Sequence, residues 1–213
     1  MTAQTMTRTR KPSAMPSGAP GRAQRAKSAA VEKAKAMAPE LPVRLGSTPK
    51  TKFRGDPDVF GRLVEDHDRH RALLAMIEET HGNSDTRQRL FRELVRELKA
   101  HAAAEEQALW STVLRDPATT DFARHAVAEH KEIDDMLADL AARDMGSPGW
   151  LRRFAGLKAE YLHHIGEEEQ EQFVAAEKRL GDADLRHMRR VFEQRKKAEK
   201  ADVTIEKKIR LKD

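Results

Sequence analysis

Two stretches of this chain place a base and an acid where a helix would bury them. In "LKAHAAAEEQALW" (98–110) His101 is followed four residues later by Glu105. In "YLHHIGEEEQEQF" (161–173) His164 is followed four later by Glu168. That spacing puts both side chains on one helix face, one turn apart. The Leu, Ala and aromatic residues around them mark the face as the inner one. A single pair of this kind is most simply a hydrogen-bonded polar group in a core. Two pairs that belong to a repeat point to a binding site.

Residues 59–114 and 122–177 superimpose at an offset of 63. His67 meets His130, His101 meets His164 and Glu105 meets Glu168. Asp66 falls on Glu129, Glu106 on Glu169, Phe91 on Phe154, Leu94 on Leu157 and Trp110 on Phe173. Each His-x3-Glu pair has a histidine 34 residues ahead of it. Of the adjacent histidines 163 and 164, the repeat selects His164 as the inward one.

The elements that position these residues are helical. Asp56 and Pro57 read as an N-cap and first helical position. Val59, Phe60, Leu63, Val64, His67, His70, Leu74 and Ile77 then recur at helical spacing. "HGNSD" closes this helix, and Ser84 or Asp85 opens a second with Leu90, Phe91, Leu94, Leu98, His101, Glu105 and Leu109 on one stripe. After "RDPATTD", a third carries Val127, His130, Asp134, Leu137 and Leu140. After "DMGSPGW", with Ser147 as cap and Pro148 first in the helix, a fourth carries Trp150, Phe154, Leu157, Tyr161, His164 and Glu168 and ends near Gly181. A fifth, about 183–200, offers Leu185, Met188, Val191 and Phe192. The pattern contains no strand. The fold class is all-α, an antiparallel up-down four-helix bundle with short loops and an extra C-terminal helix. Its expected divisions are a basic tail over 1–55, the bundle over 56–181, and the C-terminal helix and basic tail over 182–213.

At about 1.5 Å per residue, His67 and His101 lie about 21 and 24 Å from the first turn, and His130 and His164 about 20 and 24 Å from the third. Four histidines and two glutamates therefore converge at one height. Six such groups in a dry interior are costly without partners. Imidazole suits iron, zinc, copper or nickel, and carboxylate suits harder ions, so the mixture favours iron or manganese. Two carboxylates that each bridge two cations, with two histidines capping each metal, describe a dinuclear and most simply di-iron site with a coordination position left open.

At these residues the sequence resembles the hemerythrin-like, or HHE cation-binding, family. The order His…His-x3-Glu…His…His-x3-Glu carries the resemblance over about 57–180. It implies a non-haem di-iron centre that binds, senses or reacts with O2, peroxide or NO. The metals would be oxo- or hydroxo- and carboxylate-bridged, with manganese or zinc as alternatives to iron. The implied ligands are His67, His101, Glu105, His130, His164 and Glu168. Oxygen-carrying members place two histidines four apart on the third helix, where this chain has His130 and then Asp134. Asp134, His70 or Tyr161 could fill the position of the missing imidazole. Asp134 could equally orient a ligand, and Tyr161, the one tyrosine, could donate to a bound oxygen species or simply pack. His81, His125 and His187 read as surface residues, and "GEEEQEQ" as a solvated face apart from Glu168. A storage module without turnover and a metal-free helical scaffold are the alternative functions.

Charge is distributed unevenly. Residues 1–55 have twelve Lys/Arg against two acids, residues 185–213 eleven against five, and the net charge of +5 leaves the segment between them at −11. The first 55 residues are rich in Pro, Ala, Ser and Lys/Arg, too polar to offset the entropy of ordering, apart from a transient helix over "SAAVEKAKAMA". They also resemble an organelle transit peptide, although a flexible basic tail is the plainer reading. The basic ends suit weak contact with nucleic acid or anionic surfaces, or docking onto the chain's own acidic body. There is no cysteine, which excludes disulfides and thiolate sites and fits a reducing compartment. No apolar run could span a membrane, and no apolar stretch follows the N-terminal charges as in a secretory signal. The expected location is cytoplasmic. The sequence is silent on oligomeric state.

Overall fold

Asp58, rather than Asp56, begins the first helix. Its carboxylate accepts from Phe60 N and Gly61 N, at 2.9 and 3.3 Å. The chain ahead of it folds back so closely that a Cβ on Gly61 would stand 2.0 Å from the Asp56 carbonyl oxygen, an approach that glycine permits. The structure, a computed structural model, describes residues 50–210, with side chains to Lys200. The expected basic N-terminal tail, with its transient helix, therefore lies outside the described residues up to position 49.

Helix α1 is Val59–Glu78. Helix α2 starts at Asp85, capped by the Ser84 hydroxyl, which accepts from Arg87 N at 3.1 Å. It runs through Asp85–Glu105, a π-helical turn at Glu106–Trp110, and Ser111–Val113. Helix α3 is Thr120–Ala141. Helix α4 comprises Trp150–Glu167, a second π-helical turn at Glu168–Gln172, and Phe173–Glu177. Ser147 does not cap α4 with its side chain: its hydroxyl donates to Asp144 O, and its carbonyl accepts from Trp150 N. Helix α5 is Asp182–Arg210. Among the described residues there is no strand, and no helix is long and apolar enough to cross a membrane.

Helices α1 to α4 pack in a ring, each against the next and α4 against α1, while α5 lies against α1 and α2. The inner stripes expected for α1, α2 and α4 are buried throughout. The α3 stripe is rotated from the expected one. Ala126, His130, Ile133, Leu137 and Leu140 point inward, whereas Val127 is exposed and Asp134 is half-exposed. Two apolar cores result. One joins Phe53, Phe60, Leu63, Trp110, Phe173 and Phe192. The other joins Leu74, Phe91, Leu94, Leu137, Trp150 and Phe154. The polar side chains of the repeat form a layer apart from both.

The π-helical turns have a reason in the register. His101, Glu105, Leu109 and Val113 are all buried, as are His164, Glu168, Gln172 and Ala176. A spacing of four drifts by about 40° per step against a repeat of 3.6 residues per turn. A wider turn absorbs the surplus residue and keeps both stripes facing inward.

Helix α5 is tied to the bundle by charge as well as by Leu185, Met188 and Phe192. Lys196 pairs with Asp66 and with Glu97, and Lys200 pairs with Glu97 at 2.6 Å. These C-terminal charges therefore dock onto the chain's own acidic body. Arg87 secures the opposite end by donating to Thr80 Oγ1 and to Met145 O, which ties the first turn to the third.

Candidate metal centre

His67 on α1, His101 and Glu105 on α2, His130 on α3, and His164 and Glu168 on α4 meet in the polar layer, all buried. His67 and His101 face each other with their Nε2 atoms 3.3 Å apart. Glu168 Oε2 lies 3.4 Å from His67 Nε2, and Glu168 Oε1 lies 3.5 Å from His164 Nε2. Glu105 Oε2 is 3.4 Å from His101 Nε2 and 3.5 Å from His130 Nε2. Each glutamate thus reaches a histidine of its own hairpin and one of the other. The sets His67–His101–Glu168 and His130–His164–Glu168 each bring one atom per residue within 4.8 Å of one another.

Four further carboxylates hold the imidazoles from behind. His67 Nδ1 donates to Glu169 at 2.8 Å, and His101 Nδ1 to Asp66 at 3.3 Å. His130 Nδ1 donates to Glu106 at 2.9 Å, and His164 Nδ1 to Glu129 at 2.9 Å. In the neutral imidazole, a hydrogen on Nδ1 leaves Nε2 as a lone pair aimed at the centre. These partners obey the sequence repeat, since Asp66 aligns with Glu129 and Glu106 with Glu169. Glu169 is fully buried, which corrects the reading of "GEEEQEQ" as a solvated face apart from Glu168. The repeat had aligned all four carboxylates; what hid them was the exposure usually expected of a charged run.

The two halves differ in charge. Asp66 is flanked by Arg62 and Lys196, and Glu169 by Arg71. Among the described residues, Glu106 and Glu129 pair with histidines instead. Burial and the neighbouring Glu105 push the Glu168 carboxyl well up. Burial also opposes a charge on Glu105, but His101 and His130 outweigh it and hold Glu105 well down. For His67, burial prevails over Glu169 and lowers the imidazole to about 4. At His130 burial is overcome by Glu105 and Glu106, which push it up to about 9.

The residues fit cations. Both oxygens of Glu105 and of Glu168, and Nε2 of His130 and His164, are buried without a hydrogen-bond partner. Each such group costs free energy on the order of 1–3 kcal/mol if left alone. Cations held among them would supply these atoms with partners.

Of the three residues expected to fill the position of the missing histidine, His70 and Tyr161 are buried and hydrogen-bonded to each other at 2.6 Å. The His70 ring packs edge-on against His101, 5.1 Å between centroids. Asp134 instead pairs with Lys99 at 2.8 Å at the surface, because the rotation of α3 turns it outward. It touches none of the imidazoles. A cleft of about 390 Å³ opens between α2 and α3, where Lys99 and Asp134 join Ala102, His101, His130 and Tyr161 in its lining.

A helical bundle with a layer of paired His-x3-Glu motifs, each carboxylate spanning both halves, defines a cation-binding class of four-helix protein. The chain belongs to the hemerythrin family: the Hemerythrin HHE cation binding domain matches residues 58–176. Among solved structures it is similar to a hemerythrin HHE cation binding domain-containing protein from Mycobacterium kansasii. The identity is 26% over 70% of this chain and 91% of that one, with a TM-score of 0.64. No curated protein matches it. The family match ends before α5 begins, so the helix that carries Lys196 and Phe192 onto the site lies outside it.

Proposed function

We propose that this is a non-haem di-iron protein that binds, senses or reacts with O2, peroxide or NO. One ion would be held by His67 and His101, the other by His130 and His164, with Glu105 and Glu168 shared between them. The observation that carries this reading is the facing pair of His67 and His101. Their Nδ1 atoms face carboxylates and their Nε2 atoms stand 3.3 Å apart, so neutral rings donating from Nδ1 would bring two lone pairs together. That contact is repulsive for neutral rings and favourable with a cation between them.

Four imidazoles and two carboxylates favour iron over softer or harder ions. Two iron ions there would supply electrons and an open position for a small ligand. The cleft between α2 and α3 supports access for a diatomic molecule or peroxide. Tyr161 stands in its lining, and its hydrogen bond with His70 can hold or move a proton at the phenolic oxygen.

The test is anaerobic iron loading of chelator-stripped protein, followed by exposure to O2, peroxide or NO. Two tightly held iron ions per chain and a ligand-to-metal charge-transfer band in the visible are expected. Iron binding with neither a band nor peroxide consumption would indicate storage. Loading below one iron per chain would overturn the reading.

A further inference from the structure

The His-x3-Glu spacing occurs twice more, on the outside of the bundle. On α3, His125 precedes Glu129 by four; on α4, His163 precedes Glu167 by four. The two pairs stand beside each other on neighbouring helices. His125 Nε2 is 3.3 Å from Glu129 Oε1 and 3.2 Å from Glu167 Oε2. Glu167 Oε1 is 3.4 Å from His163 Nε2. His125, Glu129 and Glu167 present one atom each within 4.8 Å of one another. We propose that these three residues, with His163 beside them, form a separate surface site for a divalent cation of the Zn2+ or Fe2+ type.

The donor set supports that class. An imidazole with two carboxylates and a second imidazole at hand suits Zn2+ or Fe2+, and Ca2+ and Mg2+ prefer oxygen alone. Glu129 is already fixed, because its Oε2 accepts from His164 Nδ1 at 2.9 Å and leaves Oε1 facing His125. One arm of the site is thus pre-ordered, which lowers the entropy cost of binding. Histidines 125 and 163 are exposed, so a cation reaches them without opening the bundle. The same carboxylate would place the surface cation one residue from the buried centre. The proposal does not require the buried centre to hold iron.

The test is equilibrium dialysis of full-length, chelator-stripped protein against Zn2+, with helicity followed by circular dichroism. The wild type is expected to hold one ion more per chain than His125→Ala/Glu167→Gln, a double variant at the surface that leaves both apolar cores untouched. A His101→Ala/His130→Ala variant breaks both buried sets, keeps the His164–Glu129 bond, and is expected to retain a single ion that adding His125→Ala removes. Equal occupancy in the wild type and the His125→Ala/Glu167→Gln variant would overturn the surface site and leave the buried centre standing. An ion lost only from the His101→Ala/His130→Ala variant would do the same.

Discussion

Lys196 on α5 meets the same Asp66 oxygen that accepts the His101 Nδ1 hydrogen. An element outside the matched family domain therefore bears on one half of the centre. Replacing Lys196 with Met leaves Arg62 on the other Asp66 oxygen at 2.8 Å. It should cost roughly 1–3 kcal/mol, the range for stripping a buried polar partner. It should also lower the midpoint potential of the iron-loaded protein, because a less neutralised Asp66 makes His101 the stronger donor. Thermal denaturation and a redox titration check the two effects. A destabilised variant with unchanged potential would reduce Lys196 to a packing role.

Glu169 orients His67 and is clamped by Arg71 at 2.9 Å. Glu169→Gln should weaken metal binding about 10- to 100-fold, the range for partners that orient a metal-bound histidine. Competition against a chromogenic chelator measures this. Unchanged affinity would show that His67 needs no such support.

Asp134→Ala should leave metal content unchanged, since the carboxylate pairs with Lys99 at the surface. The variant also loosens the rim of the cleft, so the reduced protein should react with peroxide at least as fast as the wild type. Loss of a metal ion would restore Asp134 as a ligand.

Metal binding should release protons. In the metal-free protein His130 is pushed up to about 9, and Glu168 is raised well above an ordinary carboxylate. His130 holds a proton at neutral pH and Glu168 is shifted towards its protonated form, and each must be deprotonated to bind a cation. Affinity should therefore rise with pH from neutrality towards about 9, and fall on acidification. Calorimetric titration in buffers of different ionisation enthalpy should show roughly one to two protons released per chain at pH 7. No release would mean that the two groups are already deprotonated.

Much of this was legible in the sequence. The inner stripes of α1, α2 and α4 and the six converging residues follow from helical period and from the 63-residue repeat. Where the reading failed, a local feature had no one-dimensional signature. The first cap falls on Asp58, whose carboxylate accepts from Phe60 N and Gly61 N, and Asp56 packs back over Gly61 instead. The rotation of α3 exchanges Ala126 and Ile133 for Val127 and Asp134. The four outer carboxylates were visible as aligned pairs, but judging Glu169 buried requires Arg71 and His67 in three dimensions. Lys196 belongs to no repeat, so nothing in its own neighbourhood linked it to Asp66.

The crossing of the two glutamates has a consequence for descent. His67, His101 and Glu105 come from one hairpin, and His130, His164 and Glu168 from the other. Glu105 reaches His130, and Glu168 reaches His67. Neither hairpin assembles the layer alone. Two identical copies of one hairpin, related by a twofold axis, would reproduce every bridge and every supporting carboxylate. The chain thus has the plan of a fused dimer, and cations bound in this layer would act as a staple across the seam between its two hairpins.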